Sequence, residues 1–312
     1  MESGGIVSSG RWVKQGVVVS PNPGVSWMST HVGPSFATSN DETVTLFVTG
    51  RDDFNQSRIG VVDGTLSNVG FENGHICQKP LLDLGEIGTF DESGVSYPWL
   101  VTHGDDTYMY YVGWTAGTRT RFRNFLGLAI SRDGGESFHR FSRVPILDRT
   151  DSEPFGTGSC AVWIDDEGWH MVYTAFDPWW FGDSRQEPRY RLKEALSDDG
   201  TSWHRTGRVV VDYATADEHV ISRPMIMFDH DLTRLWYCYR GSSYRIGYAE
   251  SLDGYEFRRR DCSVGINVSE SGWDSEMIEY AFVLDHDGER YMFYNGNQFG
   301  KTGLGLAVHQ SS

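Results

Sequence analysis

"YPWLVTHGDDTYMYYVGW" (97–114), followed after a break by "NFLGLAISRDGGESFHRF" (124–141), is the stretch whose reading decides the fold. It runs as a strand opened by proline, an acidic turn, an aromatic strand, a variable loop, a strand of small residues and an Asp-Gly turn. Val, Tyr, Phe and Trp suit a pleated, half-buried surface, and the Gly and Asp clusters between them punctuate strands rather than helices. The same order returns in "SCAVWIDDEGWHMVYTAF" (159–176) with "YRLKEALSDDGTSWHRT" (190–206). It returns again in "RPMIMFDHDLTRLWYCYRG" (223–241) with "YRIGYAESLDGYEFRRR" (244–260), and in "EYAFVLDHDGERYMFYNGN" (279–297) with "TGLGLAV" (302–308). A weaker first copy is "GPSFATSNDETVTLFVTGRDD" (33–53) with "SRIGVVDGTLSNVGF" (57–71). The period is roughly 60 residues, somewhat above the ~40–50 of four-stranded propeller blades, and the excess sits in loops.

The fifth copy lacks its last strand, and a matching strand stands at the other end of the chain. "RWVKQGVVV" (11–19) resembles "SWHRTGRVVV" (202–211), with Trp12 against Trp203 and Gly16 against Gly207. An N-terminal strand completing the last copy would close the ring and remove two exposed sheet edges. The expected fold is all-β: one five-bladed β-propeller domain spanning 1–312, its last blade closed by residues 11–19. The Asp-Gly segments such as "SRDGGESF" (131–138) resemble the Asp box of sialidase-type propellers and read as tight-turn chemistry.

Composition narrows the function. The 312 residues carry 11 Trp and 14% aromatics, more than a core alone needs and suited to an all-β fold, a sugar-stacking surface, or both. A formal net charge of −16 argues against nucleic acid or an anionic membrane as partner. The start "MESGGIVSSG" has neither a basic nor an apolar leader segment, and no apolar run is long enough to span a bilayer, so a cytoplasmic location is expected. Cys77, Cys160, Cys238 and Cys262 are scattered and read as buried free thiols. There is no H-E-x-x-H, G-x-S-x-G, GxxxxGK[ST] or GxGxxG motif, so no metal or cofactor is expected, and a calcium ion in the channel has no motif behind it.

In a propeller, the crossover into each blade and the loop between its second and third strands meet on one face. Those ten loops hold the unusual residues here, as loops on a rigid scaffold should. Four of five crossovers carry carboxylates: Asp91 and Glu92; Asp151 and Glu153; Asp217 and Glu218; Asp274, Glu276 and Glu279. Glycosidic bond cleavage needs two carboxyl groups flanking the bond, with pKa values split by burial and mutual repulsion.

At this point the chain resembles the five-bladed propeller glycoside hydrolases: the arabinanase/β-xylosidase, invertase/levansucrase and mannoside phosphorylase families. The resemblance implies an acid at the start of blade one, a second in blade two and a glutamic acid in blade three. Blade two offers Asp91 or Glu92 and blade three offers Glu153, the expected general acid. Blade one departs, since "MSTHVGPSFA" has His31 and Gly33 where an Asp before Pro would stand. "GRDDFNQSRIGVVDG" (50–64) looks like the phosphorylase blade-one segment, which implies one proton-donating acid and a basic cluster for phosphate.

Arg51, Arg58, Arg223, Arg240, His31, His219 and Lys301 are the candidates for that cluster, arginine pairing its donors with phosphate oxygens. Asp53, Trp114, Asp177, Trp179, Glu218, Asp274, Glu276, Glu279 and Asn295 complete the expected substrate-binding set, with Glu279 also a structural partner for Arg223. Three functions stay open: hydrolysis of a glycosidic bond in an oligosaccharide, phosphorolysis or action on a phosphorylated sugar in polysaccharide assembly, and non-catalytic sugar binding.

Overall fold

The computed structural model describes residues 10–40, 42–67, 69–181 and 186–310. The leader reading at residues 1–9 and the tip of the aromatic loop at 182–185 lie outside them, as does the side chain of Phe181. The chain's regular secondary structure is almost wholly strand. β1 (Arg11–Val19) comes first, then β2 (His31–Ser39), β3 (Val44–Arg51), β4 (Ser57–Ser67) and β5 (Gly70–Ile76). Next come β6 (Gly94–His103), β7 (Asp106–Ala116), β8 (Phe122–Ser131) and β9 (His139–Arg140), then β10 (Thr157–Asp165), β11 (Gly168–Phe181), β12 (Gln186–Ser197) and β13 (His204–Val211). β14 (Val220–Asp229), β15 (Leu232–Arg240), β16 (Tyr244–Ser251), β17 (Arg258–Arg259), β18 (Glu279–His286), β19 (Glu289–Asn295) and β20 (Leu304–Gln310) complete the set.

The strands pair as antiparallel four-stranded units in a β-propeller. Units β2–β5 and β6–β9 touch through one parallel pair, Ser57 with Gly94, and units β10–β13 and β14–β17 through Tyr190 with Val220. The remaining unit runs β1-β20-β19-β18, with Arg11 opposite Gln310 and Val19 opposite Leu304. The N-terminal strand therefore completes the last unit, as its likeness to 202–211 predicts. Trp12 is buried there, edge-on to Trp236 at 6.5 Å and to His309 at 5.0 Å.

Units are tied laterally by buried aromatics and specific donors. Phe36 of β2 packs on Phe282 of β18 at 4.7 Å and on Trp99 of β6 at 5.3 Å. Trp99 Nε1 donates to the Val162 carbonyl at 2.8 Å, and the Tyr110 hydroxyl donates to the Gly200 carbonyl at 2.7 Å. A buried ring N–H or hydroxyl without such an acceptor would be costly.

The Asp-Gly turns are what the sequence suggests. Asp133 accepts from the Ser137 amide at 3.0 Å and from the hydroxyls of Ser131 and Ser137; the last bond leads in lowering its pKa to about 2. Asp199 and Asp253 do the same work in their turns. All four cysteines are free. Cys160 and Cys238 are buried and Cys77 half-buried, but Cys262 is exposed because it lies in the short 3-10 turn after β17, against the expectation of four buried thiols. No described helix is long and apolar enough to cross a membrane.

Candidate active-site cavity

Each inner strand carries a bulge at the same place. Pairing with the second strand breaks between Val32 and Ser35, Ser96 and Trp99, Thr157 and Cys160, Ser222 and Met225, and Glu279 and Phe282. The first skipped residue is Gly33, Tyr97, Gly158, Arg223 and Tyr280 in turn. Four of these have a left-handed backbone: Gly33 (φ 121°), Tyr97 (55°), Arg223 (53°) and Tyr280 (60°). Tyrosine and arginine pay for that conformation, and strain of this kind gathers at functional sites. The sequence copies that open at Arg223 and at Glu279 are thereby one residue out of register: Tyr280, not Glu279, stands where β14 has Arg223, and Glu279 stands with Ser222.

A cavity of about 410 Å³ opens at this ring of bulges. Tyr97, Tyr190, Tyr244, Tyr280, Trp114, Phe122, Phe176 and Phe299 give it aromatic walls, and Arg51, Arg121, Arg240, Asn55 and Asn124 give it polar ones. No Asp or Glu stands among its described lining residues. Of the expected site residues, Arg51, Trp114 and Arg240 line it. Arg51 Nη1 donates to Asn55 at 2.9 Å, and Trp114 Nε1 donates to Ser57 at 2.8 Å. Arg240 donates to Glu187 at 2.8 Å and lies 5.1 Å from the Tyr244 ring.

Two expected residues stand immediately behind the wall. His31 pairs across the sheet with Arg51, and burial, then the charges of Arg51 and Lys301, lower its pKa to about 4. It is therefore neutral near pH 7. Glu279 is fully buried, and neither carboxyl oxygen has a well-formed hydrogen bond. Burial pushes its pKa well above the carboxylate range, while the Tyr280 hydroxyl, Arg51 and Arg240 draw it back. A carboxyl in such surroundings holds its proton. The rings of Tyr97 and Tyr280 meet edge to face at 5.2 Å, and burial pushes the Tyr97 hydroxyl up to about 12.

The crossover carboxylates lie elsewhere, for one shared reason. Asp91 accepts from the Tyr111 hydroxyl at 3.0 Å and Arg140 Nε at 2.7 Å. Glu153 accepts from the Tyr173 hydroxyl at 2.8 Å, Lys193 at 2.9 Å and Arg205 Nε at 2.8 Å. Asp274 accepts from the Tyr294 hydroxyl at 3.0 Å and Lys14 at 2.6 Å. Glu218 is gripped by Arg259, which with the Tyr237 hydroxyl also holds Asp261.

The first three are staples of crossover acid, second-strand tyrosine and outer-strand cation, whereas in the β14–β17 unit the tyrosine turns to Asp261 and leaves Glu218 to Arg259. Asp91–Tyr111, Glu153–Tyr173 and Asp274–Tyr294 keep the same 20-residue spacing. In the first unit, buried Met28 takes the acid's place beside Trp27. For Glu153, burial raises the pKa but the bonds from Lys193 and Tyr173 outweigh it and leave it lowered, the reverse of what a general acid needs. These acids are consumed within their own units because a buried carboxylate demands donors, and the blade supplies them.

The remaining expectations divide similarly. Glu92 accepts the Gly88 amide at 2.6 Å in a local turn, Asp53 is exposed beside Ser29, and the exposed Glu276 anchors its loop through backbone bonds to Asn297, Ser243 and Arg245. Asp177 pairs with Arg191 and the Tyr213 hydroxyl. Trp179 backs the cavity wall through Phe122 at 5.3 Å, whereas His219 packs on the outer Trp180 at 5.6 Å. Arg58 is held by Asp52 and Asp83.

Asn295 is structural: its Nδ2 donates to the Val32 and Gly303 carbonyls, tying the last unit to the first. A Cβ at position 33 would come within 2.0 Å of the Asn295 amide, which explains the glycine where the related folds were expected to carry an acid. Arg223 is wholly buried beneath the cavity, and no ion pair joins it to Glu279. Tyr97 and Tyr280 were not foreseen; Tyr97 stands before Pro98 as Arg223 stands before Pro224, a signal the sequence carries, whereas Tyr280 precedes Ala281 and has none.

No family model matches the chain. It is 35% identical over 298 residues to a Mycobacterium tuberculosis protein described as "Uncharacterized protein Rv1502", covering 95% of this chain and 98% of that one. A solved structure described as "Glycoside hydrolase" superposes with a TM-score of 0.73 at 18% identity, covering 98% of this chain and 92% of the other. Another, from work stating that "the GH130 family of mannoside phosphorylases contains glycoside hydrolases that target beta-1,2 mannosidic linkages in Candida mannan", gives a TM-score of 0.67 at 15% identity, covering 96% and 93%. The chain thus shares the fold of the β-propeller glycoside hydrolases.

Proposed function

The chain belongs to the family of the Mycobacterium tuberculosis protein Rv1502, and from its cavity we propose an enzyme that acts at a glycosidic bond with Glu279 as its proton source and phosphate as attacking group. We read the four-stranded units as five blades of one domain over 1–312, and the four free thiols support a cytoplasmic setting. The observation that carries the functional reading is a wholly buried Glu279 with no well-formed hydrogen bond, its pKa raised by burial, behind an arginine-bearing cavity whose described wall holds no carboxylate.

Hydrolysis by two carboxyl groups needs them about 5–5.5 Å or 6.5–9.5 Å apart across the bond. Asp91 and Glu153, the acids expected for it, are committed to their staples. Phosphorolysis asks for less: one acid and a cationic seat. Arg51 and Arg240 would seat the phosphate, with neutral His31 behind Arg51. A sugar ring would stack on Trp114, Tyr190 or Tyr244. A phosphate oxygen forms its bond to the anomeric carbon as the glycosidic C–O bond breaks. The leaving oxygen takes the Tyr280 hydroxyl proton while Tyr280 receives the proton of Glu279. A sugar 1-phosphate and a free sugar hydroxyl result, and the same atoms run in reverse from an activated donor.

Nitrophenyl glycosides and oligosaccharides, offered with and without phosphate, test this. Turnover that requires phosphate and is lost in Glu279→Gln is expected. Equal turnover without phosphate would return the reading to hydrolysis, and glycan binding with no turnover would leave a sugar-binding propeller.

A further inference from the structure

Arg223 is a wholly buried charged group that the reaction does not use and that, unlike Asp91 and Asp274, has no oppositely charged partner among the described residues. Its side chain, 1% exposed, crosses from the β14 unit to the first unit, where Nη2 donates to the Ser35 carbonyl at 2.6 Å. Nε and Nη1 have no acceptor among the protein's described atoms, and the hydroxyl of the same Ser35 has no partner either. The surroundings are the Tyr97 ring at 5.9 Å and the groups of Cys160, Cys238 and Tyr280, all neutral at pH 7. Burial raises the pKa of both thiols and of Tyr280, so none supplies a negative charge.

A guanidinium cannot shed its proton as lysine does, and an unpaired ion in such a place is among the costliest things a protein can bury. The backbone is also held left-handed at Arg223, so the fold spends strain to keep the side chain there. A water could satisfy the donors but not the charge.

We propose that the channel beneath the cavity binds one small inorganic monoanion, of the chloride class, between Arg223 Nε and Nη1 and the Ser35 hydroxyl. Three unpartnered buried donors with no negative charge beside them suit a spherical monoanion. A phosphate would bring four oxygens and a second charge to three donors, and would have to leave most of its hydration unreplaced. This site is independent of the proposed reaction, whose phosphate seat is the cavity wall at Arg51 and Arg240.

Thermal unfolding is followed while chloride replaces gluconate at fixed ionic strength, with inorganic phosphate as a separate arm, and wild-type crystals soaked in bromide are mapped by anomalous scattering. Expected are a saturable rise in Tm with chloride, its loss in Arg223→Met, a several-fold higher chloride midpoint in Ser35→Ala, and a bromide peak against Arg223. A wild-type Tm indifferent to chloride, a chloride response unchanged in Arg223→Met, a phosphate-only response, or no bromide peak at Arg223 would each overturn the site. Should Arg223→Met fail to fold, the bromide map and Ser35→Ala decide without it.

Discussion

At the scale of single residues, the molecule separates two kinds of buried acid. Glu153 has three donors and a lowered pKa, whereas Glu279 has no well-formed bond and a raised one. Glu153→Gln should therefore cost stability, about 2–3 kcal/mol in urea unfolding, less than a fully buried pair because water reaches Lys193 and Arg205. It should leave turnover at the wild-type level, while Glu279→Gln should abolish it. The pH dependence differs too. Glu279 keeps a proton that the unfolded chain gives up near 4.5, so its contribution is full below that pH and is lost as pH rises through the raised native value. Glu279→Gln should flatten that decline above pH 4.5. His31 works oppositely: its native value of about 4 lies below the ordinary 6.5, so stability is full above 6.5 and falls as pH drops toward 4. His31→Gln should remove that loss in the same titration. The sequence marked all these acids alike, since a carboxylate in a crossover reads the same whether a tyrosine waits 20 residues on or not. Tyr111, Tyr173 and Tyr294 were visible; that their hydroxyls turn toward Asp91, Glu153 and Asp274 was a matter of three dimensions.

At the scale of elements, the closing strand was legible because Trp12 and Gly16 repeat Trp203 and Gly207. The same alignment puts Lys14 on Arg205, and the structure gives both the outer-strand cation's place in a staple. β1 is thus chemically as well as topologically a fourth strand. Trp12→Ala should cost about 3–5 kcal/mol, read as a fall in the urea midpoint with an unchanged slope. A change confined to local proteolysis near residues 11–19, with the global midpoint unmoved, would contradict a closing role. The bulges were harder to see. Pro98 and Pro224 hint at them, but Ala281 and Ser159 carry no such mark, and so Glu279 was set one residue out of register.

At the scale of the whole molecule, an anionic chain gathers Arg51, Arg121 and Arg240 around one cavity. With a net charge of −16, the global field repels an anion, so its capture must come from local donors in a low-dielectric pocket. The central claim is that Glu279 and that cationic wall act together in phosphorolysis. Its most direct test is phosphate release from a panel of sugar 1-phosphates offered with oligosaccharide acceptors, compared across wild type, Glu153→Gln and Glu279→Gln. Release by wild type and Glu153→Gln but not by Glu279→Gln is predicted. Release that survives in Glu279→Gln and disappears in Glu153→Gln would contradict it.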